Sequence, residues 1–217
     1  MIIKYNYTFN HDRNNGFLKD WLCLGNKKIL DVGASYTSLS EDKPWIETNR
    51  FATLDLFDIP TSKLHFKGNI SLFSTWKPIL SYVEKNGKFD CCYISHTLED
   101  IANPKLVCNI LGSIADRGFI AIPSKYVECK RLGGSYRGYI HHRWIFNMEN
   151  NVFKAYPKQN FIEYEPHLDK IADNYKEENA ELQIFWENEI DLKIVNDDFL
   201  GPTVDSVKEH YKDLHLD

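Results

Sequence analysis

Residues 28–35 read Lys28-Ile29-Leu30-Asp31-Val32-Gly33-Ala34-Ser35, and this stretch decides how the rest of the chain is interpreted. A short apolar run ends in an acid, a glycine and two further small residues. Such a pattern is typical of a buried parallel strand that enters a tight turn beneath a bound ligand. The stretch therefore predicts a strand over residues 28–32 and, directly after it, a loop that contacts a nucleotide-like cofactor.

Strand-like and helix-like segments alternate from this stretch up to residue 123. Apolar residues spaced three to four apart predict a helix over residues 73–85, and Pro104 opens another helix. A shorter helix is predicted over residues 17–22, ahead of the first strand. This alternation indicates a mainly parallel sheet that is covered by helices on both faces. The four further strands are predicted at residues 51–54, 64–66, 89–94 and 119–122.

The pattern changes after residue 123. Residues 131–139 are rich in glycine and tyrosine and predict a loop. Two apolar runs, 182–186 and 190–195, are joined tightly and predict an antiparallel pair, the last two strands of the sheet. Helices are expected near residues 148–155, 168–179 and 204–214. The predicted fold class is α/β: a Rossmann-like, seven-stranded, mainly parallel sheet with helices on both faces and an antiparallel last strand.

No repeat, low-complexity run or linker divides the sequence, so we expect one domain over residues 1–217. It would consist of an N-terminal helical lead (1–27), a cofactor-binding half (28–123) and an acceptor-side half (124–217).

Composition narrows the range of partners and compartments. The formal net charge is −5 and there is no Lys/Arg block, so we expect no affinity for nucleic acid or an anionic membrane surface. Five cysteines without a C-x-x-C pair favour a reducing compartment. No signal-peptide-like segment or transmembrane run is present, so the expected location is cytoplasmic. The oligomeric state does not follow from the sequence.

Polar residues follow three successive predicted strands, at the edge where such sheets bind ligands. Gly33 allows close backbone approach, and Asp31 can accept a hydrogen bond from a ligand amine or hold the loop. Asp55 comes 24 residues after Asp31 (55 − 31), near the offset of about 20 residues at which an acid binds a ribose hydroxyl pair. Asn69 and Ile70 follow the third strand, where an amide and an apolar residue suit the edge and face of adenine.

Residues 28–123 resemble the class I S-adenosylmethionine-dependent methyltransferases, in particular the small-molecule branch called methyltransferase type 11. The most specific match is Ser95-His96-Thr97-Leu98-Glu99-Asp100-Ile101, because family members often show Ser-His-x-Leu-Glu-His at this place. The other matching pieces are Ile29-Leu30-Asp31-Val32-Gly33, Leu54-Asp55, Gly68-Asn69-Ile70, Phe89-Asp90, Asn103-Pro104 and Gly118-Phe119-Ile120-Ala121-Ile122-Pro123.

The resemblance implies S-adenosyl-L-methionine as the cofactor. It would place Gly33 and Ser35 beside the methionine part of the cofactor and Asp55 on the ribose. It would place Ser95 and His96 near the sulfonium. The predicted cofactor-binding residues are Asp31, Gly33, Ala34, Ser35, Asp55, Leu56, Asn69, Ile70 and Ser95.

A hydroxyl acceptor needs a general base that works near neutral pH, and histidine is the natural choice. The predicted catalytic candidates are His96 and the adjacent His141 and His142. In an extended segment adjacent side chains point to opposite faces, so one of the pair would face the acceptor, and His142 is favoured. The predicted substrate-binding residues are Tyr136, Arg137, Arg143 and Trp144.

No metal ligands are assigned, because no compact ligand spacing such as H-E-x-x-H is present. Some sugar and catechol methyltransferases nevertheless use a divalent cation.

The predicted function is methyl transfer from S-adenosyl-L-methionine to a small polar acceptor, most simply O-methylation of a sugar or related metabolite. A nucleic-acid or protein methyltransferase is one alternative, which the net charge disfavours. A non-catalytic cofactor-binding relative is the other, because Ser35 and Asp100 depart from the family motifs, as Asn69 also does. Ser35 stands where a second glycine is usual, Asn69 where an aspartate is usual, and Asp100 in place of a second histidine.

Overall fold

The computed structural model describes residues 1–9, 16–23, 28–34, 50–59, 63–195, 204–212 and 214, and these ranges contain ten strands and six α-helices. The strands are β1 (Ile2–Thr8), β2 (Ile29–Val32), β3 (Ala52–Asp55), β4 (Leu64–Lys67), β5 (Cys91–Ser95), β6 (Arg117–Pro123), β7 (Trp144–Glu149), β8 (Val152–Pro157), β9 (Glu181–Glu187) and β10 (Leu192–Ile194). The α-helices are α1 (Gly16–Cys23), α2 (Phe73–Asn86), α3 (Pro104–Ile114), α4 (Lys125–Cys129), α5 (Pro166–Ala172) and α6 (Val204–Tyr211). Two short 3₁₀ helices lie at Asn160–Tyr164 and Glu177–Asn179. None of the described helices has the length and apolar character needed to cross a membrane.

Seven strands form the central sheet, in the order β1-β9-β6-β5-β2-β3-β4. β9 runs antiparallel to both of its neighbours, and the other six strands run parallel to one another. The chain moves outward from β2 through β3 and β4 on one side, and through β5 and β6 on the other. Sheets of this kind bind ligands at the carboxyl ends of the strands where the direction reverses, here between β2 and β5. The predicted fold class is confirmed.

Helices cover both faces of this sheet, and the alternation of side chains along β2 shows how. Leu30 and Val32 belong to the cluster that α2 and α3 cover, whereas Ile29 packs in a second cluster with Leu18 and Leu22 of α1. Alternate residues of a strand point to opposite faces, so both sets are buried at once. The helices predicted over residues 17–22, over residues 73–85 and from Pro104 are therefore confirmed.

The start of α3 shows why the local sequence forms a helix there. Oδ1 of Asn103 accepts the N–H of Leu106 at 3.1 Å, and Pro104 occupies the first turn, where its missing N–H would have no helical partner. The cap fixes the end of the loop that runs from β5 across the carboxyl edge of the sheet.

Residues 144–157 form a β-hairpin, so the helix expected near residues 148–155 is wrong. β7 and β8 pair antiparallel, and the connecting Asn150 and Asn151 have φ of 49° and 62°. Two successive positive φ values are typical of the type I′ turn, which asparagine tolerates. Phe146 and Phe153 of the hairpin join the main core.

The predicted pairing of residues 182–186 with residues 190–195 is wrong. β10 instead pairs parallel with β8, in a small sheet with β7. The position beside β9 is taken by β1, where Tyr5 stands opposite Ile184. A pairing between the two ends of the chain depends on tertiary packing, which a local pattern does not encode. In place of the helix expected over residues 168–179, the chain forms α5 and a separate 3₁₀ turn. The helix expected near residues 204–214 agrees with α6.

Candidate functional site

A cleft of about 610 Å³ opens at the carboxyl ends of β2, β3, β4 and β5. This is the edge of the sheet at which a ligand is expected, and the volume suits a cofactor-sized molecule. Its walls are partly apolar, with three acids and an amide among them. The lining residues are Gly33, Asp55, Leu56, Phe57, Asp58, Ile59, Gly68, Asn69, Ile70, His96, Thr97, Asp100 and Ile101.

The turn after β2 strongly favours glycine. Gly33 has a φ of 73°, and a Cβ at this position would lie 2.2 Å from Oγ1 of Thr97. Its N–H donates to the carbonyl oxygen of Leu54 at 2.8 Å, which joins the turn to β3. The glycine therefore lets the turn pack directly against the loop that follows β5.

Two further residues of the opening stretch lie behind the cleft and do not line it. Asp31 is buried, and its Oδ2 pairs with Nη1 of Arg50 at 3.1 Å. From the sequence, Asp31 could either bind a ligand amine or hold the loop. The structure shows it holding the loop. Ala34 is buried as well. Ser35 lies outside the described residues.

The ribose and adenine positions predicted from the sequence do line the cleft. Oδ1 of Asp55 accepts the N–H of Phe57 at 2.9 Å, and the carboxylate is only half-buried. Oδ1 of Asn69 accepts the N–H of Ser71 at 2.9 Å, which orients the amide at the mouth of the cleft. Ile70 is buried against the core and Leu56 is exposed at the rim. Ser95 is half-buried at the end of β5, and its carbonyl oxygen accepts the hydroxyl of Thr97 at 3.1 Å.

A second cavity of about 400 Å³ adjoins the cleft and shares His96 and Asp100 with it. It lies between the loop after β5, α4 and the loop over residues 131–143. The lining residues are His96, Glu99, Asp100, Pro123, Val127, Leu132, Tyr139, His141, His142, Tyr175 and Ala180.

His96 stands where the two cavities meet, with a φ of 48° that is uncommon for a residue other than glycine. Its Nε2 lies 2.6 Å from Oε2 of Glu181, and its Nδ1 lies 3.5 Å from Oε1 of Glu99. Burial by itself lowers the pKa of His96, but hydrogen bonds to these two buried carboxylates raise it to about 9. Since an imidazolium has no lone pair to accept a proton, His96 is unsuited to the general-base role predicted for it.

His142 is held differently. Its Nδ1 lies 2.6 Å from Oε1 of buried Glu128, whose other oxygen accepts Nζ of Lys158, also at 2.6 Å. Because a carboxylate can only accept, Nδ1 carries the hydrogen, and the neutral imidazole has its lone pair on Nε2. That Nε2 lies 3.8 Å from Oδ1 of Asp100, in the wall of the second cavity. His142 therefore presents a lone pair to the place where an acceptor would bind.

The loop that carries His142 depends on a glycine. Gly138 has a φ of 56°, and a Cβ there would lie 2.8 Å from Cα of Glu128. Its N–H donates to the carbonyl oxygen of Lys130 at 2.7 Å. The predicted loop over residues 131–139 is confirmed, and its glycine brings the backbone against the carboxylate that orients His142.

His141 and His142 do not point to opposite faces, so that expectation is wrong. The N–H of His142 donates to the carbonyl oxygen of Tyr139 at 3.1 Å, which closes a turn in place of an extended segment. The two imidazole rings lie 4.5 Å apart, and Nε2 of His141 is also 3.8 Å from Oδ1 of Asp100. Both histidines and the aspartate converge on one point of the second cavity.

The four predicted substrate-binding residues lie elsewhere. Arg137 is buried and its guanidinium donates to the carbonyl oxygens of Cys129, Ile162 and Glu165. Arg137 lines neither the cleft nor the second cavity, although it contributes to the wall of a third, and these bonds occupy its guanidinium, so it does not fit the predicted role.

The indole of Trp144 packs against the main core and donates to the carbonyl oxygen of Ile101 at 2.8 Å, which also contradicts the substrate-binding prediction. Tyr136 lines a third cavity of about 400 Å³ on the far side of His142. Arg143 is exposed and lines none of the three cavities described.

Three buried charged residues of the site were not assigned a role from the sequence. Glu128 and Lys158 hold His142, and Glu181 holds His96. None of them is a sequence neighbour of the histidine that it helps to hold, since the separations run from 14 to 85 residues. In a local sequence pattern, an isolated acid or lysine is usually exposed. Glu99, a fourth buried acid of the site, did stand in a sequence motif that resembles the family. Its Oε2 has no hydrogen-bond partner among the described residues.

The solved structures that are similar to this chain include the following two. A cyclopropane-fatty-acyl-phospholipid synthase-like protein from Lactobacillus casei is 11% identical and has a TM-score of 0.42, over 83% of this chain and 94% of that one. An S-adenosylmethionine-dependent methyltransferase from Mesorhizobium loti is 11% identical and has a TM-score of 0.38, over 74% of this chain and 90% of that one. At these scores the likeness carries no argument about activity. No protein-family model and no curated protein matches the sequence.

Proposed function

We propose that this protein is an S-adenosylmethionine-dependent methyltransferase that acts on a hydroxyl of a small polar acceptor. The observation that carries the proposal is the junction of two cavities at His96 and Asp100. One cavity has the position and volume for the cofactor, and the other holds a histidine with a fixed tautomer. Methyl transfer needs such a junction, because the acceptor oxygen must reach the methyl group in line with the sulfur.

The polar groups of the cleft fit the cofactor. The half-buried carboxylate of Asp55 can accept from ribose hydroxyls, Asn69 offers an amide for adenine, and Ile70 offers an apolar surface for its face. When bound, the cofactor supplies an activated methyl group on a sulfonium, so the protein has to position the acceptor and help remove its proton. The positive charge of His96 is balanced by Glu99 and Glu181, and a cationic ligand is therefore not repelled.

On the acceptor side, Nε2 of His142 is the atom that we assign to the hydroxyl. Glu128 keeps its lone pair directed into the cavity, and Lys158 balances the charge of Glu128. Tyr139 and Tyr175 add aromatic surface beside these polar groups. Apolar rings next to hydrogen-bonding groups suit the alternating faces of a sugar, which is the acceptor class that we propose.

Calorimetry with S-adenosylhomocysteine tests the cofactor half of the proposal. Asp55→Ala should weaken binding by about 1–3 kcal/mol, because hydrogen bonds to a carboxylate are lost. Asp116→Ala is the matched control, since Asp116 is an exposed acid just before β6, at the opposite end of the strands. Absence of binding by the unmodified protein at ligand concentrations on the order of 1 mM would overturn the proposal.

A screen with radiolabelled methyl donor tests the acceptor half. Sugar nucleotides, phenols and RNA are offered in turn, and transfer to the sugars is expected. Transfer to RNA would favour the nucleic-acid alternative. Tight binding of S-adenosylhomocysteine with no transfer to any acceptor would favour the non-catalytic relative.

A further inference from the structure

We propose that Asp100, His141 and His142 form a binding site for one divalent transition-metal ion. One ligand atom from each residue lies within 4.8 Å of the other two. Both imidazole Nε2 atoms are 3.8 Å from Oδ1 of Asp100. Two ligand atoms that each lie about 2.1 Å from one tetrahedral ion stand about 3.4 Å apart. Each of the two Nε2–Oδ1 distances therefore needs to shorten by only about 0.4 Å to reach that value.

The shell around His142 is an independent observation that points to a metal. A metal-binding histidine usually donates its other ring N–H to a carboxylate, which fixes the tautomer and makes the free nitrogen a better ligand. Nδ1 of His142 makes this contact with Glu128 at 2.6 Å, and Lys158 holds the far oxygen of the same carboxylate. The carboxylate in this arrangement is buried, because the side chain of Glu128 is only 1% exposed.

Glu99 adds a second observation in the same cavity. Its side chain is 1% exposed, and its Oε2 has no hydrogen-bond partner among the described residues. A buried carboxylate oxygen without a partner is costly unless a ligand satisfies it. Glu99 lines the cavity together with the three proposed ligands, and its unpaired oxygen favours a cationic occupant.

The donor set indicates which ion would bind. Two imidazoles and one carboxylate suit Zn²⁺, Co²⁺, Mn²⁺ or Fe²⁺, whereas Mg²⁺ and Ca²⁺ prefer oxygen ligands alone. Three protein ligands leave at least one position open, as in catalytic sites and unlike closed structural sites. Asp100 and His141 are also partly exposed, so an ion can enter from the solvent.

The position of the site gives the ion a role that rests on the proposed function. Asp100 lines both the cofactor cleft and the second cavity, so an ion bound to it would lie beside both the cofactor and the acceptor. With the ion bound, Nε2 of His142 is a ligand and not a base. An acceptor hydroxyl on the ion would release its proton to water more readily, and its oxygen would then attack the methyl carbon while the sulfur keeps the bonding electrons.

The test is a Co²⁺ titration of protein freed of metal with a chelator, followed by visible absorption. We expect one equivalent to produce the bands of a low-symmetry Co²⁺ site, and Zn²⁺ to remove them. Asp100→Asn and His141→Ala should each weaken Co²⁺ binding more than about 100-fold, beyond the 10- to 100-fold typical of a lost outer-shell partner. Both side chains are more than two-fifths exposed, so the variants should fold. His167→Ala is the control for nonspecific binding by histidine, since Nε2 of His167 bonds the carbonyl of Leu214 far from the cluster.

Two outcomes would overturn the inference: no Co²⁺ bands, or equal Co²⁺ affinity in the unmodified protein and in His141→Ala. Calorimetry with S-adenosylhomocysteine separates this failure from failure of the proposed function. His141 does not line the cofactor cleft, so its replacement should leave that affinity within about twofold. Protein that binds S-adenosylhomocysteine without Co²⁺ would refute the metal site alone, and protein that binds Co²⁺ without S-adenosylhomocysteine would refute the methyltransferase alone.

Discussion

Replacing His96 with asparagine should make the stability of this protein far less dependent on pH in the alkaline range. Asparagine tolerates the φ of 48° at this position, so the change removes the imidazole with little backbone strain. The pKa of His96 rises from 6.5 in the unfolded chain to about 9 in the folded protein. Each tenfold change in proton affinity corresponds to about 1.4 kcal/mol, so the protonated histidine contributes about 3 kcal/mol.

The sign of the effect follows from the raised pKa. The contribution is fully present below pH 6.5, where the folded and unfolded forms are both protonated, and it is lost progressively as the pH rises to about 9. The imidazole is 20% exposed, so solvent screening reduces the figure only modestly. The two buried carboxylates, Glu99 and Glu181, provide the attraction.

Urea unfolding of both proteins between pH 6 and pH 9.5 measures this contribution. The difference in free energy of unfolding between the unmodified protein and His96→Asn should be larger by about 3 kcal/mol at pH 6 than near pH 9.5. Thiols and tyrosines that titrate in this range occur in both proteins and cancel in the difference. If the difference in free energy of unfolding stayed constant across this pH range, His96 would not be held as an imidazolium. It could then act as a general base.

Two further substitutions test the packing around the site. Arg137→Met should lower the free energy of unfolding by about 3 kcal/mol or more, because three buried carbonyl oxygens and Asp169 lose a charged donor. Urea unfolding measures this loss. A change in the KM for the acceptor without loss of stability would instead support the substrate-binding role. Gly33→Ala should cost about 1–2 kcal/mol from the positive φ alone and more from the contact with Thr97. Thr97→Ala in the same protein should recover part of that loss, and full stability of Gly33→Ala by itself would contradict the geometry of the turn.

His96 and His142 both pair with buried carboxylates, but the carboxylates have different surroundings. His96 lies between two carboxylates and has a raised pKa. Glu128, the carboxylate beside His142, is already paired with the ammonium of Lys158. The charge at His96 therefore serves to hold the loop after β5 at the junction of the two cavities. The lone pair at Nε2 of His142 remains for an acceptor or a metal ion.

The residues that line the cleft could be predicted from the sequence because they directly follow strands. Gly33, Asp55, Asn69 and Ile70 come after successive parallel strands, and the carboxyl ends of such strands meet at one edge. The acceptor side could not be predicted in the same way. Arg137 and His142 stand in one loop with similar polar neighbours, yet the guanidinium of Arg137 is bound to carbonyl oxygens, and only His142 of the two lines the second cavity.

The sequence by itself determined the alternation of strands and helices over residues 28–123, the turn at Gly33 and the acid at the end of β3. These features depend on residue spacing and backbone conformation, which are local. Tertiary structure alone decided that β1 takes the edge beside β9, that β10 joins β8, and that Asp100 meets two adjacent histidines. Such contacts join segments that are distant in the chain, and their free energy comes from burial and charge pairing, which arise only when the chain has folded.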